Sequence, residues 1–223
     1  MNSSNVLIIK PVDLSVSFLD PIFKGLVNYN SIIIEPNEES YKRGVQHINE
    51  MPDSSTIMFL GHGASHCLYG AHDLSFERKP LVNNSNISIF KNKNIFSLSC
   101  RSSEFLYKNR SVMKQFIGFG NLPTDLNDII AERDLGDPNY LLNIQEEDIS
   151  FYKKTLAEIV HSSLSKSRFN MEDFEKIYLH MKLMINKEIS KILIEKPIPN
   201  FRLLADIWYE TKREMSFFKR DFS

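Results

Sequence analysis

This 223-residue sequence predicts an α/β fold: a mostly parallel sheet of about five or six strands, helices on both faces, and a helical C-terminal extension. Three observations carry that expectation. Apolar runs of strand length alternate with amphipathic stretches over residues 6–125, the pattern of a parallel sheet covered by helices. The runs are continuously apolar, as in strands buried on both faces. From Ser150 onward glycine is absent and apolar residues recur three and four apart, which is helical spacing.

The elements follow in order. Val6-Leu7-Ile8-Ile9 is the first strand, ended near Pro11. Asp13 to Val16 opens a predicted helix through Phe18, Leu19, Ile22, Phe23 and Leu26. Ser31 to Ile34 is the second strand, stopped at Pro36. Asn37-Glu38-Glu39-Ser40 starts the next helix with a polar cap and an acidic first turn, and Pro52 limits it. Thr56 to Leu60 and Ile95 to Leu98 are the third and fourth strands. Gly70, Pro80 and Asn83-Asn84-Ser85-Asn86 between them predict short irregular pieces and a hairpin. Gln115 to Gly120 is the fifth strand, leading into a loop that ends at Asp125.

The remainder reads as two or three helices, the last following Pro197-Ile198-Pro199. This divides the chain into a core over residues 1–149 and a helical extension, packed on it, over residues 150–223. Trp208, Tyr209, Phe217, Phe218 and Phe222 are expected to bury one face of the terminal helix. The stretch from Phe217 to Phe222 is apolar enough to insert into a partner.

Charge and composition narrow the function classes. The formal net charge of −1 gives no global reason to expect nucleic acid or an anionic membrane as partner. Residues 150–223 hold 14 Lys and Arg against 10 Asp and Glu, an excess that solvated helix faces account for. No run approaches the ~18 apolar residues of a membrane span. The first five residues lack the basic region of a secretory signal. Two cysteines, Cys67 and Cys100, make a poor disulfide framework and suit a reducing, cytoplasmic setting.

The chemistry sits at two strand ends. The third strand runs into Gly61-His62-Gly63 and the fourth into Ser99-Cys100-Arg101. A thiol and an imidazole at the ends of neighbouring parallel strands suit a cysteine nucleophile and its base. The thiolate is the nucleophile, and a nearby imidazole forms an ion pair with it or removes its proton during attack. Glycine at 61 and 63 leaves room for a substrate backbone beside His62. Backbone N–H groups around Gly63 and Cys100 would stabilise the oxyanion of acyl transfer.

Phe59-Leu60-Gly61-His62-Gly63 and Leu98-Ser99-Cys100, histidine first, resemble the caspase-like (clan CD) cysteine peptidases, most of all bacterial CHAT and related proteases. The resemblance covers roughly residues 6–125. It implies a caspase-like three-layer fold and a cysteine endopeptidase that works through His62, Cys100 and an acyl-enzyme without a cofactor. Gly63 and Ser99 belong to the oxyanion and substrate-binding region. It also implies a protein or peptide substrate, and the switching by partner, cleavage or defence signal that short bacterial members often show; the C-terminal helices are the place for a regulatory partner. The caspase aspartate pocket does not carry over, because Leu98-Ser99 and Arg101-Ser102 flank Cys100 where caspases have Gln-Ala and Arg-Gly. Many relatives instead bind a basic P1 residue with an acidic one, for which Asp73 and Asp125 are the candidates by position.

Other readings stay open. The fold could serve as a catalytically silent interaction module. His62, His66, Cys67 and His72, with Cys100, hold nitrogen and sulfur ligands for a zinc-dependent hydrolase, although their spacing fits no standard zinc motif. A serine esterase lacks its Gly-x-Ser-x-Gly elbow, and Gly118-Phe119-Gly120 lacks the third glycine of a dinucleotide fingerprint.

Overall fold

The computed structural model describes residues 5–23, 29–165 and 173–220. Leu26 and Phe222 of the predicted elements lie outside these. In chain order the described elements are β1 (Val6–Pro11), a 3₁₀ helix (Leu14–Phe23), β2 (Asn30–Ile34), α1 (Glu38–Glu50) and β3 (Thr56–Leu60). Then come β4 (Gly63–Ala64), β5 (Cys67–Tyr69), β6 (Pro80–Asn83), a 3₁₀ turn (Ile87–Phe90), β7 (Asn94–Leu98), α2 (Ser102–Lys108) and β8 (Gln115–Gly118). The chain continues with α3 (Leu126–Leu135), α4 (Glu146–Ser165), α5 (Phe174–Glu195), α6 (Phe201–Glu214) and β9 (Ser216–Lys219).

Six strands form one sheet in the order β2-β1-β3-β7-β8-β9, parallel except for β9. Every residue of β3 and β7 is buried, which explains why they are mostly apolar, with Thr56, Asn94 and Ser97 as the polar exceptions. Successive side chains point to opposite faces. Ile8, Met58, Phe96 and Ile117 pack under the first 3₁₀ helix and α4 to α6. Leu7, Ile57, Ile95 and Phe116 pack with α1, α2 and the small β4-β5-β6 sheet. The result is the predicted α/β/α layering.

Two elements differ from expectation. The helix predicted from Asp13 is a 3₁₀ helix that starts at Leu14 and contains Pro21, which has no N–H to donate. Asp13 stands just before the helix's first residue, with its carbonyl accepting from Val16 N–H and its carboxylate from Ser15 N–H. The terminal helix stops at Glu214, and Ser216–Lys219 turns back as an antiparallel strand beside β8. Phe218 stacks on Phe116 and Phe217 on Tyr178, each pair at 5.7 Å between ring centroids. Alternate side chains thus serve the two layers, a partition that only a strand provides at this edge.

The chain leaves β1 over one face of the sheet and β2 over the other. Strands β1 and β3 therefore flank the topological switch point, where open α/β sheets form a crevice beyond the strand carboxyl ends. Among the described residues no helix is long and apolar enough to cross a membrane.

Candidate active site

Register aligns the two strands that precede the predicted residues. Phe59 pairs with Ser97 and Leu60 with Leu98, and Gly61 N–H still reaches the Leu98 carbonyl at 3.4 Å. His62 and Cys100 each stand two residues beyond the last registered pair, Leu60 and Leu98. Both line one cleft of about 590 Å³. Gly63, Tyr69, Arg78, Arg101, Leu122, Asp125, Asp128 and Tyr140 contribute to its walls.

Gly63 has a packing role beyond the open space expected of it. A Cβ there would stand 2.7 Å from both the Cys100 carbonyl oxygen and Ser99 Oγ. Only glycine lets the two strand-end loops approach this closely. After Cys100 the chain turns sharply through Arg101, whose φ of 53° is left-handed. Such a conformation costs about 1–2 kcal/mol for a residue with a side chain. Arg101 N–H donates to Gly120 and Ser102 N–H to Ser99. The Cys100 N–H has no acceptor among the described residues.

Cys100 is half-buried, and its Sγ donates to the Leu122 carbonyl at 3.3 Å. Burial pushes the thiol pKa up to about 11, against the smaller lowering effect of that hydrogen bond. His62 is held below its ordinary pKa, first by burial and then by the charge of Arg78; Asp13 and Asp128 oppose this. At neutral pH the resting pair is therefore thiol and imidazole, not thiolate and imidazolium. An imidazole in that state is a competent general base.

Asp13, Ser15 and His72 surround His62; the sequence offered His72 only as a metal ligand and gave no site role to Asp13 or Ser15. His62 Nε2 lies 3.0 Å from Asp13 Oδ2 and 2.8 Å from Ser15 Oγ. His72 Nδ1 lies 3.8 Å from the same Asp13 oxygen. Burial raises the Asp13 carboxyl, but hydrogen bonds from the Ser15 side chain and backbone, followed by the two histidines, leave it below its ordinary pKa. The available signal was positional: Asp13 follows β1, which pairs with β3.

The remaining predicted residues divide. Asp125 lines the cleft as the N-cap of α3, accepting from Asn127 N–H at 2.7 Å. Asp73 is exposed and does not line it; its carboxylate accepts from Ser75 N–H, Ser75 Oγ and Phe76 N–H. Ser99 is buried, with its Oγ 3.0 Å from Ser97 Oγ. Cys67 is buried in β5 and His66 is exposed, its ring 6.5 Å from that of Tyr69. Among the described residues, no three His, Cys, Asp or Glu side chains converge into a metal-binding set.

Comparison with known proteins finds no matching family model and no curated protein of significant similarity.

Proposed function

We propose that the chain is a cysteine endopeptidase of the caspase-like type, with Cys100 as nucleophile and His62 as general base and acid. The observation that carries this reading is that both residues, each two positions beyond the end of neighbouring parallel strands, line one cleft. As Cys100 Sγ bonds to the scissile carbonyl carbon, its proton passes to His62. The carbonyl electron pair moves to the oxygen, where the free Cys100 N–H is the available donor. Collapse breaks the C–N bond, the amine takes the proton from His62, and water then hydrolyses the thioester.

Of the two acidic candidates, Asp125 supports a basic P1 side chain, since it shares the cleft with Asp128. The substrate class is thus a protein or peptide with Lys or Arg before the cut, in a reducing cytoplasm that leaves both cysteines free. A second reading, the silent interaction module, is favoured by the thiol held on Leu122 and its raised pKa.

A peptide library scanning P1, coupled to an electrophilic group and read by mass spectrometry, tests the proposal. Wild-type protein should label at Cys100 with a Lys or Arg preference, and Cys100→Ala and His62→Ala should not. Equal labelling of wild type and Cys100→Ala removes the peptidase reading.

A further inference from the structure

We infer that Asp13, set by Ser15, is a positioning residue that fixes which nitrogen of His62 is basic, giving a Cys100–His62–Asp13 arrangement across three adjacent strands. The inference rests on the peptidase reading for its role in turnover, but the hydrogen bonds around His62 define it independently.

Counting protons decides the tautomer. Asp13 Oδ1 lies 2.8 Å from Ser15 N and 2.7 Å from Ser15 Oγ. A carboxylate only accepts, so the single Ser15 hydroxyl proton is spent on Oδ1. His62 Nε2 then faces two acceptors, Asp13 Oδ2 at 3.0 Å and the Ser15 Oγ lone pair at 2.8 Å. A bare Nε2 would leave three lone pairs converging with no hydrogen among them. Nε2 must therefore carry the proton, and the basic nitrogen of the neutral ring is Nδ1. Nδ1 accepts no hydrogen bond among the described residues and is left to take the Cys100 proton.

Position and burial reinforce the assignment. Asp13 follows β1 and His62 follows β3, so the pair spans the crevice at the topological switch point. Their side chains are only 14% and 16% exposed, which limits solvent screening. The local turn from Asp13 to Ser15 occupies one carboxylate oxygen and aims the other at the ring. Other charged or titratable groups facing His62 are His72, Arg78 and Asp128. When the Cys100 S–H bond breaks and the Nδ1–H bond forms, the imidazolium is stabilised by a carboxylate that stays ionised throughout.

The test uses the full-length protein. Long-range ¹H–¹⁵N NMR, with His62 assigned by comparison with His62→Gln, should show the Nε2–H tautomer in wild type. In Asp13→Asn the side-chain amide offers a donor to Nε2, and the ring should shift toward Nδ1–H. Turnover of the best library peptide should fall roughly 10²–10⁴-fold in kcat with KM little changed. Asp13→Glu should recover part of that rate. Circular dichroism checks that both variants are folded. An Nδ1–H tautomer in wild type, or wild-type kcat and pH profile in folded Asp13→Asn, overturns the inference. If wild type shows no Cys100-dependent turnover, the peptidase reading fails, while the tautomer measurement still decides whether Asp13 sets the ring.

Discussion

Gly63 and Cys100 are packed so tightly that a Cβ on the first would stand 2.7 Å from the carbonyl oxygen of the second. The other contact, at the same distance, is Ser99 Oγ, so the loop after β7 blocks the space on two sides. Gly63→Ala must push the two strand-end loops apart. Overpacking of this kind costs about 1–3 kcal/mol. It also shifts His62 relative to Cys100, and a misplacement of about 1 Å can cost 10²-fold in rate. Thermal melting and peptide turnover should show both losses. A variant with wild-type turnover would mean that this contact does not set the catalytic distance.

The parts legible in the sequence are those specified locally. The strands β3 and β7 are short, mostly apolar segments buried at every position, so their ends, and with them His62 and Cys100, stand out. Asp13 does not stand out, because Asp-Leu-Ser-Val reads as a helix start, which it also is. One carboxylate oxygen does make a local bond to Ser15, while the other bonds a residue 49 positions away. Phe217 and Phe218 were hidden for the same kind of reason. Their strand state depends on the free edge of β8, which is about 100 residues earlier in the chain.

Cys100 reactivity should be strongly pH-dependent. Iodoacetamide needs the thiolate, and the thiol pKa is pushed up to about 11 by burial. Alkylation of the native protein should therefore rise about tenfold per pH unit from pH 7 to 10. Peptide turnover, which uses His62 as base, should level off once that ring is neutral, below the usual imidazole range. The stability sign follows from the same raised pKa. Contribution of the protonated thiol is intact below about pH 8.5, the unfolded value, and is lost as pH rises toward 11. Urea midpoints of wild type and Cys100→Ser should converge or cross over that interval. Alkylation already at its plateau at pH 7 would instead mean a preformed thiolate.

Glu214 ties the last helix to the nucleophile. Its Oε2 accepts the Asn121 N–H at 2.9 Å, and a Cβ on neighbouring Gly120 would collide with it. The Gly120 carbonyl holds Arg101 N–H at 2.8 Å, and the Leu122 carbonyl holds the Cys100 thiol. Glu214→Ala releases this strap. Because the carboxylate is partly exposed, the stability cost should be about 1 kcal/mol. The larger effect should be local: Cys100 alkylation at fixed pH accelerates several-fold as the Leu122 carbonyl moves away. Glu214→Gln keeps an acceptor and should fall between. Equal alkylation rates in all three proteins would show that the loop holds Cys100 without the helix.

Removing β9 should harm solubility more than chemistry. The strand covers the edge of β8, with register from Gln115 opposite Lys219 to Gly118 opposite Ser216. A chain ending at Met215 exposes the unpaired N–H and C=O groups of β8, and an open edge is a template for pairing with another copy. It also uncovers Phe116, which is fully buried, and Tyr178, which stacks on Phe217. Phe218→Ala keeps the backbone ladder and loses only the ring contact, so the two variants separate edge protection from packing. Light scattering should show concentration-dependent association for the truncated chain and not for Phe218→Ala. Both should melt at lower temperature, since each removes buried aromatic surface. Cys100 and His62 follow β7 and β3, which β8 separates from β9, so peptide turnover by freshly prepared truncated monomer should stay close to wild type. Loss of turnover in that monomer would show that β9 supports the site as well as the sheet.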